Sequence, residues 1–248
     1  MPTTTVLDVA QANLANKQVK ASTVYYYMST LRSLDLMDTP IELCTPAFLH
    51  NRLQTVINPA TRNKHAIALR SMLGVPLKVT SSPQRVYDLA ALDVIHTTLN
   101  ESRYRMYGFS MLYAGLRLGE ASVKQRIKGN VLLVDRQRIP NGTITTAKSA
   151  GPVHVPAWFA QEYVDWEPSI TRNNIYLGLQ RTGKRASIHL SPHSLRHKFA
   201  SELVKAGCPP NILKNQMRHH DVQVSLKYYV QHTSEDYSEV VHRAFGLT

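Results

Sequence analysis

A ten-residue stretch, GVPLKVTSSP at residues 74–83, divides the chain into two patterned parts. It holds two prolines, a glycine and two adjacent serines, a composition that interrupts helices and strands and is typical of interdomain linkers. The 248 residues are enough for each part to bury its own hydrophobic core. We therefore expect two domains, residues 1–76 and 85–248, joined by a linker at residues 77–84.

Helix-start signals recur along the first part. A proline is favoured at the first helical position, because its missing N–H would find no partner there, and a polar residue before it caps the helix. The pattern predicts a bundle of about four short helices. The start signals are Ser22, Thr45-Pro46 and Asn58-Pro59.

The second part combines helical and strand-like patterns. One helical stretch ends before Gly115, and Ser191-Pro192 marks the start of a later helix. Between them lie three strand-like pieces, with Asn141-Gly142 as a hairpin turn between the first two. The predicted fold class is mainly α with a small antiparallel β-sheet, a helical bundle followed by an α+β domain. The strand-like pieces are residues 131–134, 143–146 and 153–155.

The chain is strongly basic, with 29 Lys and Arg against 17 Asp and Glu and a formal charge of +12. Such a surplus favours a polyanionic partner, either nucleic acid or an acidic membrane surface, although an ordinary basic protein would look the same. No apolar run approaches the ~18 residues of a membrane span, and the N-terminus lacks the pattern of a secretory signal. Cys44 and Cys208 have no metal-ligand spacing and suit small buried residues in a reducing compartment. We expect a cytoplasmic protein.

Four segments of the second part contain side chains suited to chemistry. Taken singly, each has a structural explanation, because an arginine after a helix is usually solvated and a tyrosine near a C-terminus usually packs. Taken together, they suit phosphoryl transfer. The segments are GLRLGE at 115–120, TAKSAGPVHVP at 146–156, SPHSLRHKFA at 191–200 and RHHDVQVSLKYY at 218–229.

The reaction that these residue types suit is cleavage of a phosphodiester. Two arginines can clamp the charge that develops on the non-bridging phosphate oxygens. A tyrosine hydroxyl can attack the phosphorus and conserve the bond energy in a phosphotyrosine, but its ordinary pKa of about 10 requires nearby positive charge and a proton acceptor. A lysine can protonate the leaving sugar oxygen. Such a set needs neither a metal ion nor a cofactor.

A zinc site is the competing interpretation of the histidines. His193 and His197 lie four residues apart, a spacing that can chelate zinc on a helix, and His219 and His220 follow downstream. The segment HSLRH lacks the glutamate of the HExxH motif, however, and the positive Arg196 on the same turn disfavours a divalent cation. The sequence therefore favours a site without metal.

These segments resemble the tyrosine recombinases, the family of phage integrases and Xer enzymes. SPHSLRHKFASELVKAG is similar to the family's His-x-x-Arg helix, with His193 and Arg196 in the motif positions. RHHDVQVSLKYY resembles the segment in which a histidine precedes the nucleophilic tyrosine by nine positions, which pairs His219 with Tyr228.

Two further segments complete the resemblance, which covers residues from about 83 to 245. GLRLGE is similar to the segment that holds the family's first arginine, here Arg117, with Glu120 three positions on. TAKSAGPVHVP is similar to the β-hairpin that carries the family lysine, which places that lysine at Lys148. Residues 1–76 are similar to the family's core DNA-binding domain only in size and position.

Two features depart from the family pattern. The family usually has Leu-Gly before the second histidine, whereas this chain has Met217-Arg218. Arginine cannot freely replace glycine where the backbone needs a positive φ; alternatively, the extra cation of Arg218 lies near the phosphate and assists binding. In addition, His220 followed by Asp221 leaves a rival register in which His220 pairs with Tyr229.

The resemblance implies a two-domain clamp around duplex DNA and a role for each site residue. Tyr228 would form a 3′-phosphotyrosine and release a 5′-hydroxyl, Lys148 would protonate the leaving oxygen, and His193 would accept the tyrosine proton. The arginines and the second histidine would stabilise the developing charge. The implied catalytic set is Tyr228, Arg117, Lys148, His193, Arg196 and His219, with Glu120 as a supporting residue that orients an arginine or a histidine.

The resemblance also implies an assembly. Family members act as homo-tetramers on two paired sites and exchange strands through a Holliday junction, and accessory DNA-bending or directionality factors would fit this scheme in a nucleoid-associated protein. Val240, Val241 and Phe245 form a short apolar face that would dock on a neighbouring protomer or on its own domain. A type IB topoisomerase-like enzyme and a non-catalytic DNA-binding protein are the competing functions. Candidate DNA contacts are Lys124, Arg126, Lys128, Arg181, Lys184, Arg185 and Arg218.

Overall fold

The computed structural model describes residues 3–79 and 89–232, which belong to two compact units. Most of the predicted linker at residues 77–84 lies outside the described residues, as do Val240, Val241 and Phe245. Within the described ranges, no helix is both long and apolar enough to cross a membrane.

The first unit is helical, as predicted. Thr45 caps α3 by accepting a hydrogen bond from the Phe48 amide, and Asn58 caps α4 in the same way, each directly before a proline. Ser22 was expected to cap α2, but that prediction is wrong, because α2 already begins at Ala21. The elements are α1 (Val6–Ala15), α2 (Ala21–Ser33), a 3-10 turn (Ile41–Leu43), α3 (Pro46–Gln54) and α4 (Pro59–Leu73).

Apolar faces of these helices form the core of the first unit. Leu31, Leu49, Leu69 and Met72 are fully buried, one each on α2 and α3 and two on α4. Helix α4 packs against α1, α2 and α3, so its apolar stripe is the centre of the bundle.

The second unit has more helices and a small sheet. Its fold class, mainly α with an antiparallel sheet, confirms the prediction. The helices and strands are α5 (Leu92–Asn100), α6 (Arg105–Tyr113), α7 (Leu118–Ala121), β1 (Arg126–Lys128), β2 (Val131–Arg138), β3 (Ile144–His154), α8 (Ala157–Asp165), α9 (Arg172–Arg185), α10 (Pro192–Lys205), α11 (Pro210–Met217) and α12 (Val222–His232).

The sheet has the order β1-β2-β3, with both pairs antiparallel. The Asn141-Gly142 turn joins β2 to β3, which confirms the predicted hairpin. Two of the strand-like pieces of the sequence, residues 143–146 and 153–155, are parts of the single strand β3. The three-residue strand β1 was missed, because so short a segment shows no alternation of its own.

The core of the second unit lies between the sheet and the helices around it. Phe109 on α6, Phe159 and Tyr163 on α8, and Leu195 on α10 are almost completely buried there. Helix α10 packs against α6 and α12, and α11 packs against β3. This packing brings the α6–α7 turn, the sheet and the α11–α12 turn around the first turns of α10, where the motif residues lie.

Candidate active site

The turn between α6 and α7 places Arg117 immediately before α7. Gly115 in this turn has a φ of 58°, and a Cβ there would lie 2.6 Å from the Phe199 ring, so the backbone and the neighbouring α10 both require glycine. The side chain of Arg117 is 34% exposed. The turn therefore holds a guanidinium at the edge of the site on a constrained backbone.

Glu120, on α7, is a fully buried carboxylate between two arginines. Its Oε1 accepts from Arg117 Nη1 at 3.0 Å, and its Oε2 accepts from the Arg117 backbone N–H at 2.8 Å. Oε2 also accepts from Nη2 of Arg218 at 2.6 Å. A buried ion is stable only when its remaining hydrogen bonds are also made. Glu120 makes them to two arginines, which is the geometry of a carboxylate that orients a guanidinium group.

Arg196, on α10, lies between the two turns. Its Nη1 donates to the carbonyl of Gly115 and its Nη2 to the carbonyl of Met217, and the residue is 4% exposed. Burial lowers the pKa of Arg196, and the nearby charges of Arg117 and Arg218 lower it further. Three guanidinium groups therefore lie near one another, two of them bonded to Glu120, an arrangement that attracts an anion. We call Arg117, Glu120, Arg196 and Arg218 the arginine–glutamate cluster.

Arg218 caps α11 in the left-handed conformation, with φ 52° and ψ 46°. The chain therefore accommodates arginine at a position where glycine would be unstrained. Its side chain is only 2% exposed and is paired with Glu120, so its surroundings are those of a buried ion pair, and a contact with the phosphate stays a prediction. Burial lowers the pKa of Arg218, and the charge of Glu120 opposes that shift.

His219 follows Arg218 and is half-buried. Its Nδ1 lies 2.9 Å from Oγ of Ser225 on α12. Burial lowers the pKa of His219 to about 4, and the charges of Arg196, Arg117 and Arg218 act in the same direction. The imidazole is therefore neutral near pH 7. If the Ser225 hydroxyl donates to Nδ1, the proton lies on Nε2, which can donate to a phosphate oxygen.

The two tyrosines of α12 have different surroundings. The Tyr228 ring lies between two histidines, with ring-centroid distances of 4.8 Å to His197 and 6.3 Å to His219. Tyr229 instead donates its hydroxyl to the backbone carbonyl of Cys208, and burial raises the pKa of Tyr229. The tyrosine surrounded by the motif residues is Tyr228.

Lys148 lies on β3, and its side chain is exposed. It lines a cleft of about 570 Å³ between β3 and the α11–α12 turn. Arg218 and His219 line the same cleft, together with a second lysine, Lys214 of α11. The structure thus brings the predicted lysine to the cleft that the second histidine also lines.

The first turn of α10 contains the predicted proton acceptor, His193, which is exposed. The histidine of α10 whose ring packs against Tyr228 is His197, one turn further along, and its Nδ1 lies 3.3 Å from Oγ of Ser201. Sequence reasoning missed His197 as part of the tyrosine site. Its position four residues after His193, on the same helix face, was the available signal.

The sequence around these residues matches a known family. Residues 158–236 match the model of the phage integrase family. The matched segment contains Arg196, His219 and Tyr228. Arg117 and Lys148 precede the matched segment, and the fold brings them to it.

Two relatives of this chain are tyrosine recombinases. XerD of Ralstonia nicotianae is 24% identical over 155 residues, 60% of this chain and 44% of that protein. XerA of Thermococcus kodakarensis is 30% identical over 81 residues, 31% of this chain and 28% of that protein. The chain thus spans less than half the length of these curated relatives.

A solved structure extends the likeness to almost the whole chain. The Tn1549 transposon integrase, residues 82–397 in complex with transposon right end DNA, has a TM-score of 0.78 at 16% identity. The alignment covers 98% of this chain and 100% of that chain. The likeness shows that the two proteins share a fold.

Lys124 was predicted as a DNA contact and has a different environment. Its Nζ donates to the carbonyls of Tyr163 and Val164, both at 2.7 Å, and to that of Trp166. It also lies 3.6 Å from a carboxylate oxygen of Glu167. The ammonium therefore holds the C-terminal carbonyls of α8, and we correct its prediction as a phosphate contact.

The other predicted DNA contacts of the second unit are exposed. Arg126 on β1 forms a surface ion pair of 2.5 Å with Asp135, which contributes little stability and leaves the guanidinium accessible. Arg181 and Arg185 line a cleft of about 530 Å³ that also includes Arg103, a residue that the sequence reasoning missed. Lys128 and Lys184 are exposed as well.

The zinc interpretation finds no geometric support in the described part of the chain. No three His, Cys, Asp or Glu side chains there are grouped as metal ligands would be. His197 packs on Tyr228, and His219 pairs with Ser225.

Proposed function

We propose that this chain is a site-specific DNA recombinase that cleaves and rejoins duplex DNA through a covalent bond to Tyr228. The match to the phage integrase family and the tyrosine recombinase relatives support the reaction class. The strongly basic composition supports a DNA partner.

The observation that carries the proposal is the difference between the two adjacent tyrosines. Tyr228 packs between His197 and His219 and is close enough for its charge to act on Arg196. Tyr229 has its hydroxyl hydrogen-bonded to a backbone carbonyl. A nucleophile needs a proton acceptor and nearby positive charge, and Tyr228 has two histidine rings and the charge of Arg196 near it. This favours the register of His219 with Tyr228 over that of His220 with Tyr229.

The arginine–glutamate cluster would stabilise the transition state. Charge develops on the non-bridging oxygens of the phosphate during in-line attack, and preorganised guanidinium groups stabilise it without reorganisation. We assign this role to Arg117 and Arg196, with Glu120 orienting Arg117. His219, neutral near pH 7 since its pKa is about 4, would donate one further hydrogen bond.

Proton transfers complete the cleavage step. The Tyr228 oxygen forms a bond to phosphorus and gives its proton to His193, while the bond from phosphorus to the 5′-oxygen breaks. Lys148 supplies a proton to that oxygen. The products are a 3′-phosphotyrosine and a free 5′-hydroxyl, and the reverse reaction on a partner strand completes the exchange. The phosphodiester energy is conserved in the covalent bond, so the step consumes no ATP.

The assembly follows from the same proposal. Residues 1–76 act as the core DNA-binding domain, residues 77–84 as the linker and residues 85–248 as the catalytic domain. Four copies act on two paired sites through a Holliday junction. The exposed cations that would contact phosphates are Arg126, Lys128, Arg181, Lys184 and Arg185.

The experiment that tests the proposal is covalent trapping. Purified protein is mixed with supercoiled DNA that carries the flanks of its own gene, in the presence of a chelator, and the reaction is quenched with detergent. Wild type, Tyr228→Phe and Tyr229→Phe are compared. We expect a protein–DNA adduct that only Tyr228→Phe abolishes, because phenylalanine lacks the attacking oxygen.

Other outcomes would contradict parts of the proposal. An adduct lost only in Tyr229→Phe would show that the rival register is correct. Relaxation of DNA without site dependence or recombinant joints would indicate a type IB topoisomerase-like enzyme. Tight DNA binding without an adduct in any variant would indicate a non-catalytic DNA-binding protein.

A further inference from the structure

Arg218 occupies a position where the backbone favours glycine. Its φ of 52° lies in the left-handed region, which costs a residue with a Cβ more than it costs glycine. A strained conformation persists when surrounding contacts determine it. The question is which contacts of the arginine side chain hold it there.

The side chain of Arg218 bonds to two separate segments and lies close to a third. Its Nη2 donates to Oε2 of Glu120 at 2.6 Å and lies 3.5 Å from the Gly115 carbonyl, both in the segment around Arg117. Its Nη1 lies 3.4 Å from the carbonyl of Gln216 at the end of α11. Its Cγ and Cδ lie 3.7 Å from where a Cβ of Gly151 would be, on the strand that carries Lys148.

These contacts span the site. Glu120 holds Arg117 through its other oxygen and through the Arg117 backbone. Gly151 is three residues from Lys148 on β3, and His219 directly follows Arg218. One buried side chain therefore bonds to the segment of the charge clamp and to the turn of the second histidine, and it lies beside the strand of the proton donor.

We propose that Arg218 is a positioning residue for DNA cleavage, bracing Glu120 against the strand of Lys148 and the turn of His219. This inference rests on the function proposed above and deepens it. Arg218 acts through its neighbours: it completes the hydrogen bonds of Glu120, so that one carboxylate is held from both sides and Arg117 has one orientation. Partners that orient the ligands of metal sites contribute about 10- to 100-fold to activity, and we expect an effect of similar size here.

Arg218 also affects the pKa of His219. The positive charge of Arg218 is one of the causes that hold the pKa of His219 low, after burial and the charges of Arg196 and Arg117. Removal of that charge should raise the pKa of His219. The other ionisable groups that face this histidine are Tyr228 on α12 and, around the cleft, Lys148, Lys214 and His220, and all of them remain in an Arg218 variant.

Arg218→Gly separates the effect of the side-chain contacts of Arg218 from the effect of its backbone conformation. Glycine adopts the left-handed turn without strain, which offsets part of the stability lost when the buried pair with Glu120 is removed. Ser187→Gly is the matched control, because Ser187 also has a positive φ, of 56°, and is exposed at the end of α9. Arg218→Lys keeps the charge but loses the planar fork, which gives a second folded variant should the glycine form be unstable.

Two measurements test the inference. The first is the rate of adduct formation under single-turnover conditions at saturating DNA, which we expect to fall by about tenfold or more in Arg218→Gly, less in Arg218→Lys and not at all in Ser187→Gly. The second is the titration of His219 in the free protein by NMR. We expect its pKa to rise in Arg218→Gly and to stay near the wild-type value in Ser187→Gly.

The two measurements also separate this inference from the proposed function. If wild type forms no adduct, the proposed function fails, whereas the titration of His219 still tests the brace. A wild-type cleavage rate in folded Arg218→Gly would overturn the positioning role. An unchanged pKa of His219 in that variant would also overturn it, because the guanidinium would then not be held beside the histidine.

Discussion

The arginine–glutamate cluster and the strand that carries Lys148 border the same site but are built in opposite ways. Arg196, Glu120 and Arg218 are buried. Arg218 donates to Glu120 and Arg196 donates to the Gly115 carbonyl, so these hydrogen bonds connect segments far apart in the chain. Lys148 extends from β3, whose side chains are mostly exposed. The cluster is fixed by its contacts before DNA arrives, whereas the lysine keeps its charged end in solvent.

This difference corresponds to two chemical tasks. Stabilising charge in a transition state requires dipoles and cations that are already in place, because the free energy needed to move them would offset the stabilisation. A general acid needs only to reach the leaving oxygen at the moment of cleavage. The comparison therefore predicts that changes in the cluster alter both stability and catalysis, while changes at Lys148 alter catalysis alone.

Glu120→Gln should have the largest effect, because it removes the single carboxylate between two guanidinium groups. Breaking one partner of a buried ion pair leaves uncompensated charge, and we expect the free energy of unfolding to fall by about 3 kcal/mol. Urea denaturation of the variant measures this loss. Lys148→Ala is the control and should stay within ~0.5 kcal/mol of wild type, as surface substitutions do. Equal stabilities of the two variants would contradict the comparison.

Lys148→Ala should reduce the rate of cleavage by about 100-fold or more, because an unprotonated alkoxide is a poor leaving group. The measurement is the single-turnover rate on DNA with an ordinary 5′-oxygen and on DNA with sulfur at that position. A thiolate leaves without protonation, so the sulfur substrate should restore the rate in Lys148→Ala and leave Glu120→Gln defective.

A second lysine of the same cleft provides the control for this assignment. Lys214 also lines the cleft, on α11. If sulfur restores the rate in Lys214→Ala but not in Lys148→Ala, the general acid is Lys214 of α11. The contrast between the buried cluster and an exposed proton donor on β3 would then be wrong.

The pH dependence of stability should show how the cluster acts on His219. The folded-state pKa of this histidine is about 4, below its ordinary value of 6.5, because of burial and the charges of Arg196, Arg117 and Arg218. The unfolded chain therefore binds the proton more readily. The contribution of the neutral imidazole is fully present above pH 6.5 and is lost as the pH falls towards 4.

Denaturation at several pH values measures this linkage. Wild type should lose stability more steeply than His219→Asn between pH 6.5 and 4. His65 in the first unit, whose pKa burial also lowers, is common to both proteins and cancels in the difference. Parallel curves for the two proteins would mean that the cluster does not act on His219.

Local signals in the sequence predicted most of the helices. Thr45, Asn58 and Ser191 cap helices as expected, because a capping side chain bonds to amides two or three residues away and needs no tertiary contact. The strand β1 was not predictable in this way, since its three residues are ordered by pairing with β2. Strand pairing is a property of two segments, and neither shows it alone.

In the candidate site, too, local spacings were predictable from the sequence and long-range contacts were not. The nine-residue spacing from His219 to Tyr228 is local, and so is the spacing within GLRLGE. The bond between Glu120 and Arg218 joins residues 98 positions apart, and no local pattern indicates it. The sequence therefore indicated Arg218 as an extra cation near the phosphate, and only the structure shows its bond to Glu120.

The smallest predicted effect concerns Tyr229, which extends the contrast between fixed and reactive groups to adjacent residues. Its hydroxyl donates to the carbonyl of Cys208, so Tyr229→Phe should lower the free energy of unfolding by about 1 kcal/mol and leave the rate of adduct formation unchanged. Tyr228→Phe should abolish the adduct. Denaturation and trapping of Tyr228→Phe and Tyr229→Phe together distinguish a hydroxyl that stabilises the fold from one that reacts. A loss of adduct in Tyr229→Phe without a loss of stability would show that the roles of the two tyrosines are reversed.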